Sequence, residues 1–509
     1  MKFFRMKCIW FAFMIICMQP YGSIGQSDAN YNTAIQAKIK AVEENLGGWA
    51  RTKDQGKWTL KERMKFYHIQ GLSIAVIKDY KIDWAKGYQW ANTAESIPVT
   101  PNTLFQASSA GLSLNAMALL KLAQEKHIDL NADINEYLTS WSFPYDSSSK
   151  NKKITVKQLL SHTAGLNVPG FSGYSMGDSV PTIIQVLNGQ RPANNEPIHS
   201  VRAPGSKFEY SDGGTVISQL IVADVTKQPY EAYMKQAVLD PIGMNNSFYA
   251  PSPPENKVKM VSCGYENDGK LVEGKYHTYP ELAPGGLWTT PSDIAKFIIE
   301  TQLSYKGQSQ KVLSAENTKL RLTPLLDSTT AALGTFLVNK GNLTYFHHFG
   351  RNDGFVCEYF GSFEGGNGVV IMANSENAGI LDEIANSVSV VYGWPGFYSP
   401  VFKTVANIPV DSLKIFEGRY RHEFVKGEMD YLQFKVSGQQ LILKQSWDQA
   451  EFTFLPESGL DFFTLDMPFK LSFKKNKEGV VTHALAFGRD LWEKMPVSQG
   501  QKHDMKTLE

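Results

Sequence analysis

The hydrophobic pattern changes period several times along the chain, and each change marks an element. Gln70–Ile77 and Tyr80–Tyr88 read as two β-strands around a Lys78-Asp79 turn. Ser113–Lys126 is built from good helix formers and is apolar nearly all round, so it reads as a buried helix. Thr155–Leu160 starts another helix, and Ser161-His162-Thr163-Ala164-Gly165 ends it. Gly213–Val225 again reads as helical and Val369–Ala373 as a buried strand. Between Tyr392 and Pro409 proline, glycine and aromatic residues interrupt any period, which predicts a domain boundary. Beyond it the period becomes two. Leu432, Phe434 and Val436 alternate with polar residues, as do Leu471 and Phe473, with turns at Ser437-Gly438 and Glu478-Gly479. The expected organisation is a large domain over 26–400 and a small antiparallel β-domain over 409–509.

The first 25 residues read as a secretory signal peptide. Lys2, Arg5 and Lys7 precede the apolar run Cys8–Met18, and Ser23-Ile24-Gly25 supplies small residues for cleavage. The apolar run is short for a bilayer core of ~30 Å. Lipoprotein processing at Cys17 would need a small residue where Ile15 and Ile16 stand. The mature chain is therefore expected to be exported, periplasmic or extracellular, without an integral membrane segment.

Composition narrows the function classes. Hydrophobic residues make up 42% of the 509, enough to build a core, so the bulk of the chain is not disordered. The net charge of +1 gives no support for nucleic-acid binding. Only Cys263 and Cys357 lie beyond the signal segment. They allow at most one bridge, and two buried free thiols are equally open.

Three segments carry chemistry. Phe105–Leu120 (FQASSAGLSLNAMALL) places a serine pair at the start of a buried helix, where free N–H groups and the positive dipole end lie close to the hydroxyl. Taken alone, such a serine also reads as a helix cap. Pro204–Asp212 (PGSKFEYSD) precedes a helix, and Phe346–Phe355 (FHHFGRNDGF) precedes a strand pair. In that order, with Gly71–Asn92, Ile154–Leu166, Asp240–Met244 and Pro284–Phe297 around them, they resemble the serine β-lactamase and penicillin-binding-protein family, nearest to its class C, DD-peptidase and esterase branch. The resemblance runs from about Gln70 to Asn374.

The resemblance implies an α/β (α+β) fold of β-lactamase/transpeptidase type, an antiparallel sheet flanked by helices plus a helical region. The β-domain after Pro409 looks like the small barrel-like appendage of such hydrolases. The resemblance also implies roles. Ser109 stands at the nucleophile, Tyr210 at the tyrosine that shares the base role, and His348-Phe349-Gly350 at the strand motif lining the site, with His348 supporting the tyrosine. Arg351 follows that motif, and its N–H joins that of Ser109 as the expected oxyanion hole. Asp212, Phe349, Gly350 and Arg351 are the expected substrate contacts.

Two departures change the picture. The family's lysine position is Leu112, and the third place of its Y-x-N motif is Asp212. Leucine accepts no proton, so the serine loses its usual base, and an acidic Asp212 disfavours a carboxylate-bearing substrate. Gly111 is expected to loosen the first turn of the helix. Ser147-Ser148-Ser149-Lys150 has the missing spacing but lies in a polar loop. The expected function is a serine hydrolase cleaving an amide or ester, weakened by the lost lysine. The other reading is an inactive relative that binds a peptidoglycan fragment, peptide or acyl compound. The expected partner is a small-molecule or peptide substrate, with peptidoglycan-derived fragments in that class, and no cofactor is implied.

Other signals are weaker. Gly173-Tyr174-Ser175-Met176-Gly177 matches G-x-S-x-G, but the nucleophile elbow needs a buried strand before it, and Asn167–Ser172 is loop-like. His347 and His348 face opposite sides of a strand and cannot chelate one ion, and no H-E-x-x-H occurs, so no metal is expected. His162 reads as a helix end. Arg351 either pairs with Asp353 in a loop or faces an anionic ligand.

Overall fold

The strand Gly71–Lys78 turns Leu72, Ile74 and Val76 to one face and Ala75 and Ile77 to the other, and both sets are buried in separate cores. A strand covered on both faces loses its polar alternation, which is why this segment reads as a continuous apolar run. The computed structural model of the protein describes residues 31–53, 56–422, 430–447, 450–488 and 490–496. The signal segment 1–25 lies outside the described residues.

Seven strands form the main antiparallel sheet. In chain order they are β1 (Gly71–Lys78), β2 (Lys81–Asn92), β3 (Ile97–Pro98), β4 (Phe336–Lys340), β5 (Leu343–Asn352), β6 (Phe355–Ser362) and β7 (Gly368–Ala373). Their spatial order is β3-β2-β1-β7-β6-β5-β4, so β1 from the N-terminal part pairs with β7 from far along the chain. The β1–β2 turn falls on Asp79 and Tyr80, at φ 51° and 61°, one residue later than the sequence indicates. Lys78 still pairs with Lys81, and two consecutive left-handed residues give the turn the hand that matches strand twist.

Helices cover both faces. The helices α1 (Thr33–Glu43), α2 (Leu112–Gln124), α3 (Val156–Leu160), α4 (Asp212–Thr226), α5 (Pro291–Tyr305) and α6 (Gly379–Val391) are the ones that matter for the site. α1 and α6 pack with Leu72, Ile74, Val76, Val369 and Ile371 on one face. α5 covers the other face and joins it to a helical region in which α2 and α4 are central. α2 is buried at ten positions, from Leu112 to Leu122, as its all-round apolar surface requires.

The C-terminal residues form a closed antiparallel barrel of strands β8 (Gly418–His422), β9 (Tyr431–Ser437), β10 (Gln440–Gln445), β11 (Glu451–Pro456), β12 (Asp461–Phe463), β13 (Lys470–Lys475), β14 (Val481–Ala486) and β15 (Asp490–Lys494). Leu432, Phe434, Leu471 and Phe473 point into its separate core, following the two-residue period. The stretch before it is more ordered than its composition suggests. Trp394 and Phe397 are buried in the α1/α6 core, and Val401–Lys403 pairs in parallel with Ala50–Thr52.

Cys263 and Cys357 are buried free thiols. Among the described residues no helix is long and apolar enough to cross a membrane.

Candidate active site

The serine pair lies in a single 3₁₀ turn, Ser108–Gly111, that leads directly into α2. Leu112 opens α2 and its N–H donates to the Ser109 carbonyl, so residue 112 follows the serine by one turn. Ser108 has φ 48°, a left-handed conformation that costs a non-glycine residue about 1–2 kcal/mol. Its hydroxyl donates to the Arg351 carbonyl at 2.8 Å, which locks the turn against β5. Gly111 has a packing reason: a Cβ there would lie 3.2 Å from the Tyr249 hydroxyl, which itself donates to the Gly111 carbonyl at 3.0 Å. The expected loosening of the turn is therefore countered by the closeness of Tyr249.

β5 reaches the site through a gap in the sheet. β4 pairs with β5 only as far as His347, so the edge of β5 beyond that residue is open to the serine turn. Gly350 makes the approach possible, since a Cβ on it would fall 2.1 Å from the Ala107 carbonyl oxygen and 3.1 Å from the Ser109 nitrogen. A residue in an extended strand sends its N–H and C=O to the same edge. The Arg351 carbonyl meets Ser108, so the Arg351 N–H points to the edge that holds Ser109. The Ser109 nitrogen and the Arg351 N–H thus lie along the same open edge of β5.

Tyr210 comes from the segment before α4, whose N-cap Ser211 accepts from the Gly214 N–H. The Tyr210 hydroxyl interacts with both the Ser109 hydroxyl and the Asp212 carboxylate. Burial first, and the Asp212 charge second, push its pKa well above the usual value, so it is neutral at physiological pH.

Two histidines complete this wall. His348 is buried, with Nδ1 2.7 Å from the Phe349 carbonyl. Nδ1 therefore carries the proton, and Nε2 is a buried acceptor without a partner. His162 stacks on Tyr210 with ring centroids 4.1 Å apart, and its Nδ1 accepts from the Ser211 N–H. Burial lowers His348 to about 4 and His162 to about 3, so both rings are neutral.

Two carboxyls line the same cleft. Asp212 and Glu281 are both buried; Asp212 Oδ1 and both Glu281 oxygens have no hydrogen-bond partner. Burial raises each to about 7, and the Asp212 charge adds to the effect on Glu281. Asp212 is thus less acidic than its type suggests. It is a poised carboxyl, where the sequence implies a fixed negative charge.

Ser109, Tyr210, Asp212, Glu281, His348, Phe349 and Arg351 line one cleft of about 360 Å³, with Phe171 and Tyr279 on its apolar sides. The structure therefore brings together the serine, the tyrosine and the strand motif expected from the sequence. The expected Arg351–Asp353 pair is not made: Arg351 faces Glu376 at 3.4 Å, while Asp353 faces His277 at 2.8 Å. Asp353 lies just past the end of β5, in the β5–β6 turn, so it does not follow the strand and reaches a different partner from Arg351. The sequence does not single out Glu281, and it reads His162 as a helix end. Glu281 carries one legible signal, an acid directly before the apolar Leu282–Leu287 segment with no base beside it. The place of His162 beside Tyr210 carries no such signal, because it arises from a stacking contact 48 residues away in sequence.

Comparison with known proteins agrees with this fold. The Beta-lactamase family profile matches residues 58–386. Protein flp of Staphylococcus aureus (strain MRSA252) is 29% identical over 317 residues, 60% of this chain and 60% of that protein. The chain thus spans about three fifths of the length of that relative. The putative penicillin-binding protein PbpX of Bacillus subtilis (strain 168) is 25% identical over 318 residues, 62% of this chain and 73% of PbpX. The octameric penicillin-binding protein homologue from Pyrococcus abyssi shares the fold with a TM-score of 0.57 at 22% identity, covering 85% of this chain and 98% of its own. D-amino acid amidase from Ochrobactrum anthropi SV3, in complex with L-phenylalanine amide, has a TM-score of 0.55 at 18% identity, covering 71% of this chain and 99% of its own.

Proposed function

Because the chain belongs to the β-lactamase family, we propose that it is an exported serine hydrolase that opens an amide or ester through an acyl-enzyme on Ser109, slowly, for want of the family's lysine. The observation that carries this reading is the cleft that Ser109, Tyr210 and Asp212 line together, in which the Tyr210 hydroxyl is coupled to both neighbours. Tyr210 is no tyrosinate, so it serves as a relay. It takes the Ser109 proton while its own passes to the Asp212 carboxylate. A carboxyl raised to about 7 suits a base that works near neutral pH. The Ser109 and Arg351 N–H groups hold the oxyanion, and the neutral His348 supports Tyr210 without adding charge. Export rests on the basic and apolar N-terminal segment. A small amide or ester, with peptidoglycan-derived peptides in that class, fits the cleft.

A second reading, ligand binding without turnover, is favoured by Leu112, which leaves no cation to lower the Tyr210 pKa. Intact-mass analysis after exposure to a penicillin and to p-nitrophenyl acetate separates the two. The hydrolase reading expects a slow adduct lost in Ser109→Ala. Asp212→Asn should slow it ~10²-fold, the typical worth of a general base. Leu112→Lys with Asp212→Asn should restore it, because the lysine replaces the acceptor beside a neutral neighbour. No adduct from either reagent would establish the binding reading.

A further inference from the structure

A second constellation lies on the other side of the β5–β6 turn. The loop serine of Gly173-Tyr174-Ser175-Met176-Gly177 places its Oγ 3.1 Å from His277 Nε2. His277 Nδ1 lies 2.8 Å from Asp353 Oδ2 and 2.9 Å from the Ser172 carbonyl. Both neighbours of Nδ1 are acceptors, so in the neutral ring Nδ1 carries the proton and Nε2 is the acceptor for the Ser175 hydroxyl. These are the contacts and the tautomer of a serine–histidine–aspartate triad. The objection to an α/β-hydrolase elbow stands, since Tyr174 makes only an isolated bridge with Thr278 and the next helix begins only at Ile183. A triad is defined by geometry, however, and not by the element that carries it.

We propose that Ser175, His277 and Asp353 form a second acyl-transfer site, separate from Ser109, for esters that carry a positive charge. All three line a cleft of about 430 Å³ with Glu266, Asp268, Glu273, Glu376 and Trp447. Asp268 pairs with Lys270 and Glu376 with Arg351, so Glu266 and Glu273 are the carboxylates that favour a cationic group in the substrate. Trp447, presented by the barrel and stacked on Trp492, offers it an aromatic face. The side chains of His277 and Asp353 are 16% and 44% exposed, so the base is reachable from solvent while its orienting carboxylate stays wet. Asp353 chiefly holds His277 above its usual pKa, which suits a base that must take a proton from a hydroxyl. The N–H groups of Met176 and Gly177 carry no hydrogen bond to the rest of the described residues and are the donors at hand for an oxyanion.

In the forward step Ser175 Oγ bonds to the ester carbonyl carbon and its proton moves to His277 Nε2. The carbon–oxygen bond to the alcohol then breaks, and the alcohol leaves with that proton. Water attacks the acyl-enzyme, gives a proton to Nε2, and releases the acid as Ser175 regains its own. Asp353 is a positioning residue.

The test is labelling with diisopropyl fluorophosphate followed by tryptic mapping. Ser109 and Ser175 fall in different peptides, 87–121 and 158–202, so each serine reports separately even in the unaltered protein. The proposal expects an adduct on 158–202 that persists in Ser109→Ala. It should be absent in Ser175→Ala, slowed at least ~100-fold in His277→Gln and at least ~10-fold in Asp353→Asn. Acetylthiocholine should be hydrolysed in the Ser109→Ala background in preference to neutral ethyl thioacetate, and Trp447→Ala should narrow that preference about 2- to 5-fold. An adduct confined to 87–121, or a Ser175 adduct unchanged by His277→Gln, would overturn the second site and leave the Ser109 reading as it stands. Loss of the Ser109 adduct alone would do the reverse.

Discussion

Asp212 and Glu281 share a buried corner in which neither meets a cation. A carboxyl whose folded pKa is raised binds its proton more tightly in the folded state than in the unfolded one. Its ionisation therefore weakens the fold as pH climbs from the unfolded value, about 4, to the folded value of about 7. Stability from these groups is fully present below pH 4, falls through that window and is level above it. Glu281→Gln should raise the unfolding temperature at pH 8 and leave it unchanged at pH 4, a difference worth ~1–3 kcal/mol. Thermal unfolding at the two pH values checks this. Equal effects at both would mean that Glu281 is ionised without penalty. The same corner should take up a proton when the cleft is filled by an apolar ligand, because filling it completes the desolvation.

At the scale of elements, the site depends on β5 lying against the serine turn. Gly350 is the contact point: any Cβ there meets the Ala107 carbonyl oxygen, a backbone atom that can move only if the turn moves. Gly350→Ala should lower Ser109 labelling more than tenfold and destabilise the protein by ~1–3 kcal/mol, as overpacking does. The reading is the labelling time course beside a denaturant titration. A variant that loses stability but labels at the original rate would show that the N–H pair does not require this approach. Serine turn and strand are also the elements whose local patterns were plainest, since apolar helix, period-two strand and punctuating glycines act over a few residues.

At the scale of the whole molecule, the barrel is docked as well as tethered. Arg63 pairs with Glu383 and with Asp466 of the barrel at 2.5 Å each. Trp49 Nε1 donates to the Thr464 carbonyl at 2.7 Å. Because Val401–Lys403 is held by Ala50–Thr52, the accessible connection is Thr404–Asp411. A protease of broad specificity should cut first there, and the two fragments should still elute together. Asp466→Ala should let them separate, because it removes one of the two carboxylates facing a buried guanidinium. A first cut inside Gln70–Asn374 would sink this division of the chain.

The sequence by itself determined the elements and their order. The alternation in Leu432–Val436, the apolar helix after Ser109 and the run Val369–Ala373 are local consequences of which faces are buried, and the motifs at Ser109, Tyr210 and His348 are likewise short stretches of chain. What the serine can do was decided by tertiary structure. Leu112 told only that a base was missing. That Tyr210 meets Ser109, that Glu281 stands beside Asp212, and that Asp353 faces His277 all follow from contacts between residues tens of positions apart or more. The charge state of a carboxyl and the tautomer of a histidine depend on which polar groups and how much water surround it in three dimensions, and no spacing along the chain encodes that.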